Sequence, residues 1–157
     1  MARSGREPTL GAMAYNVQIC VDCTHALNQA DWWAETLKWA REPTDQEVLQ
    51  SALDQGLASP TDVVEHHGVR VWRDVAAICP PDQVGRRGRL RILFQTVPEP
   101  KTVKDRIHLD VILDDMAKEE ARPRLEQRGA TFLYEASQGP QSWYTMADPE
   151  GNEFCIG

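Results

Sequence analysis

An α+β fold built from two copies of a β-α-β-β-β unit is what this sequence predicts, and three observations carry the prediction. Alternating apolar and polar residues at 15–22 and again at 106–113 read as strands, and each is followed by a stretch with helical spacing. Runs rich in Val, Ile, Leu, Phe, Tyr and Trp, punctuated by Gly and Pro, follow each helical stretch and read as further strands. When Gln18 is laid on His108, the helices and their ends nearly coincide, with Trp39 falling on Gly129 without a gap, as in a degenerate internal duplication. Two such units placed face to face would enclose a hollow lined by a few polar side chains.

Taken in order, residues 1–13 are polar and aperiodic and read as a disordered leader, with Met13 an alternative start. Residues 14–157 form a single domain: a first module over about 14–97, a linker at 98–105 and a second module at 106–157. The first strand carries Val17, Ile19 and Val21 on one face and Gln18, Cys20 and Asp22 on the other. Thr24 can cap the following helix, whose stripe is Leu27, Ala30, Trp33, Ala34 and Leu37. Trp32 and Trp39 lie off that stripe and need a second apolar neighbour, which an inserted helical segment at 44–67 could supply. That segment starts at a capping-box pattern over 43–47 and restarts with Ser59 as cap and Pro60 at the first helical position. His66-His67 reads as exposed loop. Strands over 69–79 and 90–97 form a hairpin with a long loop. Pro98 and Pro100 disfavour helix in the residue before each and mark the linker. The second module runs strand, helix at about 115–128, then strands at 130–136, 142–147 and 153–156. Pro123 inside the helix predicts a kink or break.

A chain of 157 residues suffices for one domain with a genuine core. A formal net charge of -7 makes nucleic acid a poor partner, and Arg86, Arg87 and Arg89 form a local cluster rather than a binding stripe. No apolar run reaches the ~20 residues of a membrane span, which points to a cytoplasmic chain that does not use a membrane. Four cysteines make no disulfide framework. Cys20 and Cys23 have a zinc-like spacing, but residues three apart on a strand point to opposite faces, so free thiols are expected.

Three segments resemble the glyoxalase-like bacterial members of the vicinal-oxygen-chelate superfamily: Phe94 to Lys101, His108-Leu109-Asp110, and Asp148-Pro149-Glu150-Gly151-Asn152 with Glu153, Phe154 and Cys155 after it. The resemblance implies paired modules whose curved sheets form a half-open β-barrel around a central cavity. In metal-using members, ligands come from the first and fourth strands of each module, which transfers to Gln18, Gln95 and His108. The fourth position departs from the pattern. Relatives carry glutamate four residues after the turn glycine, where this chain has Cys155, with Glu153 two residues earlier.

Candidate roles follow from side-chain chemistry. His108 can ligate a metal or exchange a proton near neutral pH, and Asp110 could orient it. Glu153 could ligate, or act as a general base if burial raises its pKa. Cys155 is a soft ligand or a buried thiol. Gln18 and Gln95 suit a ligand carbonyl as well as a metal, and Trp72 and Trp143 could wall a pocket. The first reading is a metal-free protein that binds a small organic molecule in the cavity between its two modules. The alternatives are a lyase, isomerase or dioxygenase-type enzyme using one divalent ion (zinc, nickel or manganese), and a protein-interaction or regulatory module. A homodimer is a further expectation from the resemblance.

Overall fold

The computed structural model describes residues 16–157, so the leader and Tyr15 lie outside the described residues. The first module contains β1 (Ile19–Cys23), α1 (Ala26–Leu37), β2 (Ala40–Arg41), α2 (Gln46–Asp54), β3 (Val63–His66), β4 (Val69–Trp72), β5 (Val75–Cys79) and β6 (Ile92–Thr96). The second contains β7 (Leu109–Val111), α3 (Lys118–Gln127), β8 (Thr131–Gln138), β9 (Gln141–Ala147) and β10 (Glu153–Ile156). Sheet one runs β1-β6-β5-β2 and sheet two β7-β10-β9-β8. Setting aside α2 and the β3–β4 hairpin, the two orders are the same, with the first strand parallel to the last in each. The duplication is therefore present in topology as well as in length, and the two sheets do not close into a barrel.

The insertion differs from its purely helical expectation. α2 forms, but its cap is Asp45, whose carboxylate accepts from the amides of Glu47 and Val48, in place of the capping box expected over 43–47; Ser59 and Asp62 do make a capping box, on a short 3-10 turn. The chain then extends into β3, which pairs with β4. The single strand expected over 69–79 thus splits at Arg73-Asp74, its first part in the hairpin and its second in sheet one. The β-branched residues Val63, Val64, Val69 and Val71 favour this pairing.

Alternation puts Ile19, Val21 and Cys23 toward α1, together with Ile92, Phe94, Ala76 and Ile78, while Leu109, Phe154, Ile156 and Met146 fill the same layer in sheet two. These residues, α1 and the Ala121/Leu125 face of α3 form one continuous core. Trp32 finds its second neighbour in the other module rather than in the insertion. Its ring packs edge-on against Phe154 at 5.7 Å, and its indole N–H donates to the Arg128 carbonyl at 2.9 Å. α3 survives Pro123 because the proline is exposed, where a carbonyl left without its N–H partner can turn to water, while Ala121 and Leu125 alone are buried.

The Asp148 to Asn152 turn joins the modules. Asp148 is only 3 % exposed, and its carboxylate accepts from Gln29 Nε2 at 2.7 Å and Trp33 Nε1 at 3.1 Å, both on α1. It also holds its own turn through the amides of Glu150 and Asn152. Gly151 closes the turn at a φ of 91°, which a side chain would resist. The Glu150 carboxylate accepts from the amides of Thr24 and His25, so the N-terminus of α1 is capped by the other module and not by Thr24. No helix among the described residues is long and apolar enough to cross a membrane.

Candidate functional site

The faces of the two sheets turned away from the helices carry the candidate residues, and the register decides which of them meet. In sheet two, Asp110 lies beside Cys155 and Cys155 beside Thr145, so the open face presents His108, Asp110 and Ile112, then Cys155, then Trp143 and Thr145. A groove of about 560 Å³ lies on this face, with Trp143 and Ile112 as its apolar side chains and His108, Asp110, Gln138, Gln141 and Ser142 as polar groups. His108 Nε2 is 3.3 Å from Asp110 Oδ1. One ligand atom each from His108, Asp110 and Cys155 lie within 4.8 Å of one another. A nitrogen, an oxygen and a sulfur donor suit zinc better than a hard cation. Cys155 is buried, and burial pushes its thiol up despite a contact from the Thr145 hydroxyl at 3.8 Å, so it is protonated at neutral pH until a cation or base draws the proton away.

The other candidates lie elsewhere. Gln18 is exposed, just before β1 as His108 is just before β7, but its Oε1 accepts from Arg91 at 2.5 Å and its Nε2 faces Cys20 Sγ at 3.4 Å. Gln95 shares that sheet face, between Asp22 and Val75, and its carbonyl accepts from the buried Cys23 thiol. The register also corrects its assignment: Cys20 lies beside Leu93 as Asp110 lies beside Cys155, so the counterpart of Cys155 is Leu93. Trp72 sits half-buried on β4, in the hairpin. Neither glutamine nor Trp72 lines the groove of sheet two.

Glu153 follows a different physics from the one expected. Burial by itself would push its carboxyl up, but Lys101 Nζ at 2.8 Å and the Asp105 amide at 3.0 Å outweigh burial and hold it at about 2. The Asp105 carboxylate returns a bond to the Glu153 amide at 3.2 Å. A carboxylate this acidic is a weak proton acceptor at neutral pH, and the contacts make it an anchor for the linker. Cys20 is exposed and Cys23 buried, on opposite faces as strand geometry requires, and all four cysteines are free.

The sequence reading missed one cluster. Asp31 on α1 meets both His66 and His67 at the tip of the β3–β4 hairpin, with Nε2 distances of 2.6 and 2.9 Å to the same oxygen. A histidine pair followed by glycine between two β-branched runs is a hairpin-turn signal that could have placed it.

The family model described as "Glyoxalase-like domain" matches residues 18–157. The chain belongs to the glyoxalase-like domain family. Solved structures agree in fold. A glyoxalase/bleomycin resistance protein/dioxygenase superfamily member from Sphaerobacter thermophilus is 17 % identical, with a TM-score of 0.52, covering 92 % of this chain and 96 % of its own. The fosfomycin resistance protein FosX from Mesorhizobium loti is 8 % identical with a TM-score of 0.53, over 89 % of this chain and 87 % of its own. A family enzyme from Burkholderia phytofirmans is 15 % identical with a TM-score of 0.51, over 88 % and 94 %. No curated protein matches the sequence. At these identities the likeness establishes that this glyoxalase-like chain has the two-module vicinal-oxygen-chelate fold.

Proposed function

We propose that this glyoxalase-like chain binds a small, partly apolar organic molecule in the groove on the open face of its second module. The observation that carries the reading is the groove itself. Its volume of about 560 Å³ is drug-sized, and it sets an indole and the Ile112 side chain beside several polar groups. Trp143 offers a flat face for stacking, while His108, Asp110 and Gln138 supply donors and acceptors that would fix a carbonyl, hydroxyl or amide. FosX from Mesorhizobium loti, a fosfomycin resistance protein, shares the fold.

The convergence of His108, Asp110 and Cys155 favours a second reading, in which the same groove holds a divalent ion that polarises neighbouring ligand oxygens. His108 and Asp110 would hold it, and Cys155 would join on losing its proton. Zinc fits this donor set better than manganese. Binding to a mixture of aromatic carboxylates and amides, followed by intrinsic tryptophan fluorescence with and without zinc, tests both readings. Quenching that Trp143→Phe reduces and that needs no zinc supports the first; quenching only with zinc, lost in His108→Gln, supports the second. Quenching in neither condition would remove both.

A further inference from the structure

The insertion of the first module carries donors that the groove does not use. On a regular strand, adjacent side chains point to opposite faces, so His66 and His67 would ordinarily diverge. Here His67 and Gly68 form the two-residue connection of the β3–β4 hairpin, with φ of 51° and 76°. Positive φ at both central positions is the type I′ pattern, one of the two that tight hairpin turns of this length favour, and histidine tolerates it better than most residues with a side chain. The turn brings the two imidazoles together, with ring centroids 4.1 Å apart. Both Nε2 atoms face Oδ2 of Asp31, one turn into α1. The opposite oxygen, Oδ1, is bound by Arg41, whose guanidinium is itself held by the Leu27 carbonyl at 3.1 Å. One carboxylate oxygen is thereby fixed from behind while the other is aimed at two imidazoles, the outer support that ligating carboxylates receive in metal sites.

We propose that Asp31, His66 and His67 form a site for a single zinc, nickel or cobalt ion that clamps the β3–β4 hairpin onto α1. Their ligand atoms lie within 4.8 Å of one another. Two imidazole nitrogens and one carboxylate oxygen suit a borderline divalent ion and leave at least one position for water. Magnesium and calcium, which prefer all-oxygen shells, are excluded by the same donor set. The elements involved, α1 and the hairpin, are separate from the open sheet faces where the fold's own ligand positions lie. The ion would close a loop of chain between Asp31 and His66, so its binding adds to the stability of the folded state by mass action.

The test uses untagged full-length protein, stripped with chelator and titrated with cobalt(II) under calorimetry and visible absorption, with thermal unfolding at each end point. Three variants accompany it: His67→Gln, whose side chain is 75 % exposed and can change without disturbing the core; His66→Gln; and the double variant His108→Gln/Cys155→Ser. The proposal predicts one ion at this site and a raised unfolding midpoint in the native protein and in the double variant, any second ion that the double variant alone loses belonging to the groove. In each single variant it predicts affinity lower by more than about tenfold and no rise in midpoint. No binding by the native chain, equal binding by His67→Gln, or loss of all binding in the double variant alone would each overturn it. Because the groove residues are altered only in the double variant, failure here is distinct from failure of the groove reading.

Discussion

The open faces of the two sheets occupy equivalent places in a duplicated fold, yet one is largely covered by ion pairs, leaving a hollow of about 230 Å³ beside Gln18, Arg89 and Arg91, and the other carries a groove of about 560 Å³. On sheet one, Glu42 is 11 % exposed and gathers Arg89 and Arg91, and Arg91 in turn holds Gln18. On sheet two, the counterpart of Gln18 is His108, the counterpart of Cys20 is Asp110 and the counterpart of Leu93 is Cys155. Three positions that carry an amide, a thiol and an aliphatic chain in one module carry imidazole, carboxylate and thiol in the other. The first module uses its face for cohesion, and the second keeps donors and an indole available to a ligand. Of the two equivalent faces, the second carries the proposed ligand site.

The largest expected effect is on the covered face. Glu42→Ala leaves two guanidinium groups without their carboxylate on a half-buried surface and should cost about 3 kcal/mol, read from urea unfolding. His108→Gln, at the groove, should cost less than about 1 kcal/mol while weakening ligand binding, so the pair of variants separates cohesion from binding. If His108→Gln destabilised the fold as much as Glu42→Ala, the contrast between the faces would be lost.

Acid should act on the covered face next. Burial alone would push Glu42 up, but Arg89 and Arg91 hold it at about 2 against an ordinary 4.5. Its folded-state pKa is depressed, so its contribution is fully present above the ordinary value and is lost as pH falls from there toward 2. After allowance for solvent at the rim, this amounts to about 1–2 kcal/mol. Glu153, held at about 2 by Lys101 and the Asp105 amide against burial, adds a loss of the same sign over the same range. Thermal unfolding across that range should show a smaller drop in Glu42→Gln than in the native chain; an equal drop would assign the acid sensitivity elsewhere.

The smallest effect separates the cysteines by rate rather than energy. Cys20 is exposed, whereas burial, followed by the charges of Glu150, Asp148 and Asp22, pushes Cys23 up to about 12. Burial also pushes up Cys79 and Cys155. Iodoacetamide followed by mass spectrometry should modify Cys20 first in the native state. First labelling at Cys155 would instead mark an activated thiol in the groove.

Much of the fold was legible because it is written in local periodicity: the strand alternation before Asp22 and after Arg106, the stripe of α1, the cap at Ser59, and the equal spacing of the repeats. The pairing of His108, Asp110 and Cys155 was legible in part, since residues two apart on a strand share a face. What escaped depends on contacts far apart in sequence. Glu150 caps a helix begun at Ala26, Trp32 packs on Phe154, and Lys101 turns Glu153 from a possible base into an anchor. Gln95 was placed two residues from the position that matches Cys155, because strand register is set by pairing and leaves no mark on a single strand. The β3–β4 hairpin is not legible because the valine-rich run at 63–64 directly follows a helical turn and its partner lies across a two-residue connection.

Small molecules are expected to bind in the groove of sheet two. A fragment screen of aromatic carboxylates and amides, monitored by two-dimensional NMR on isotope-labelled protein, addresses this residue by residue. The expected result is shifts concentrated on the Trp143 indole and on the amides of His108, Asp110 and Cys155, with Gln18, Leu93 and Gln95 unmoved. Shifts centred on Gln18 and Arg91, or no shifts from any fragment in the screen, would contradict it.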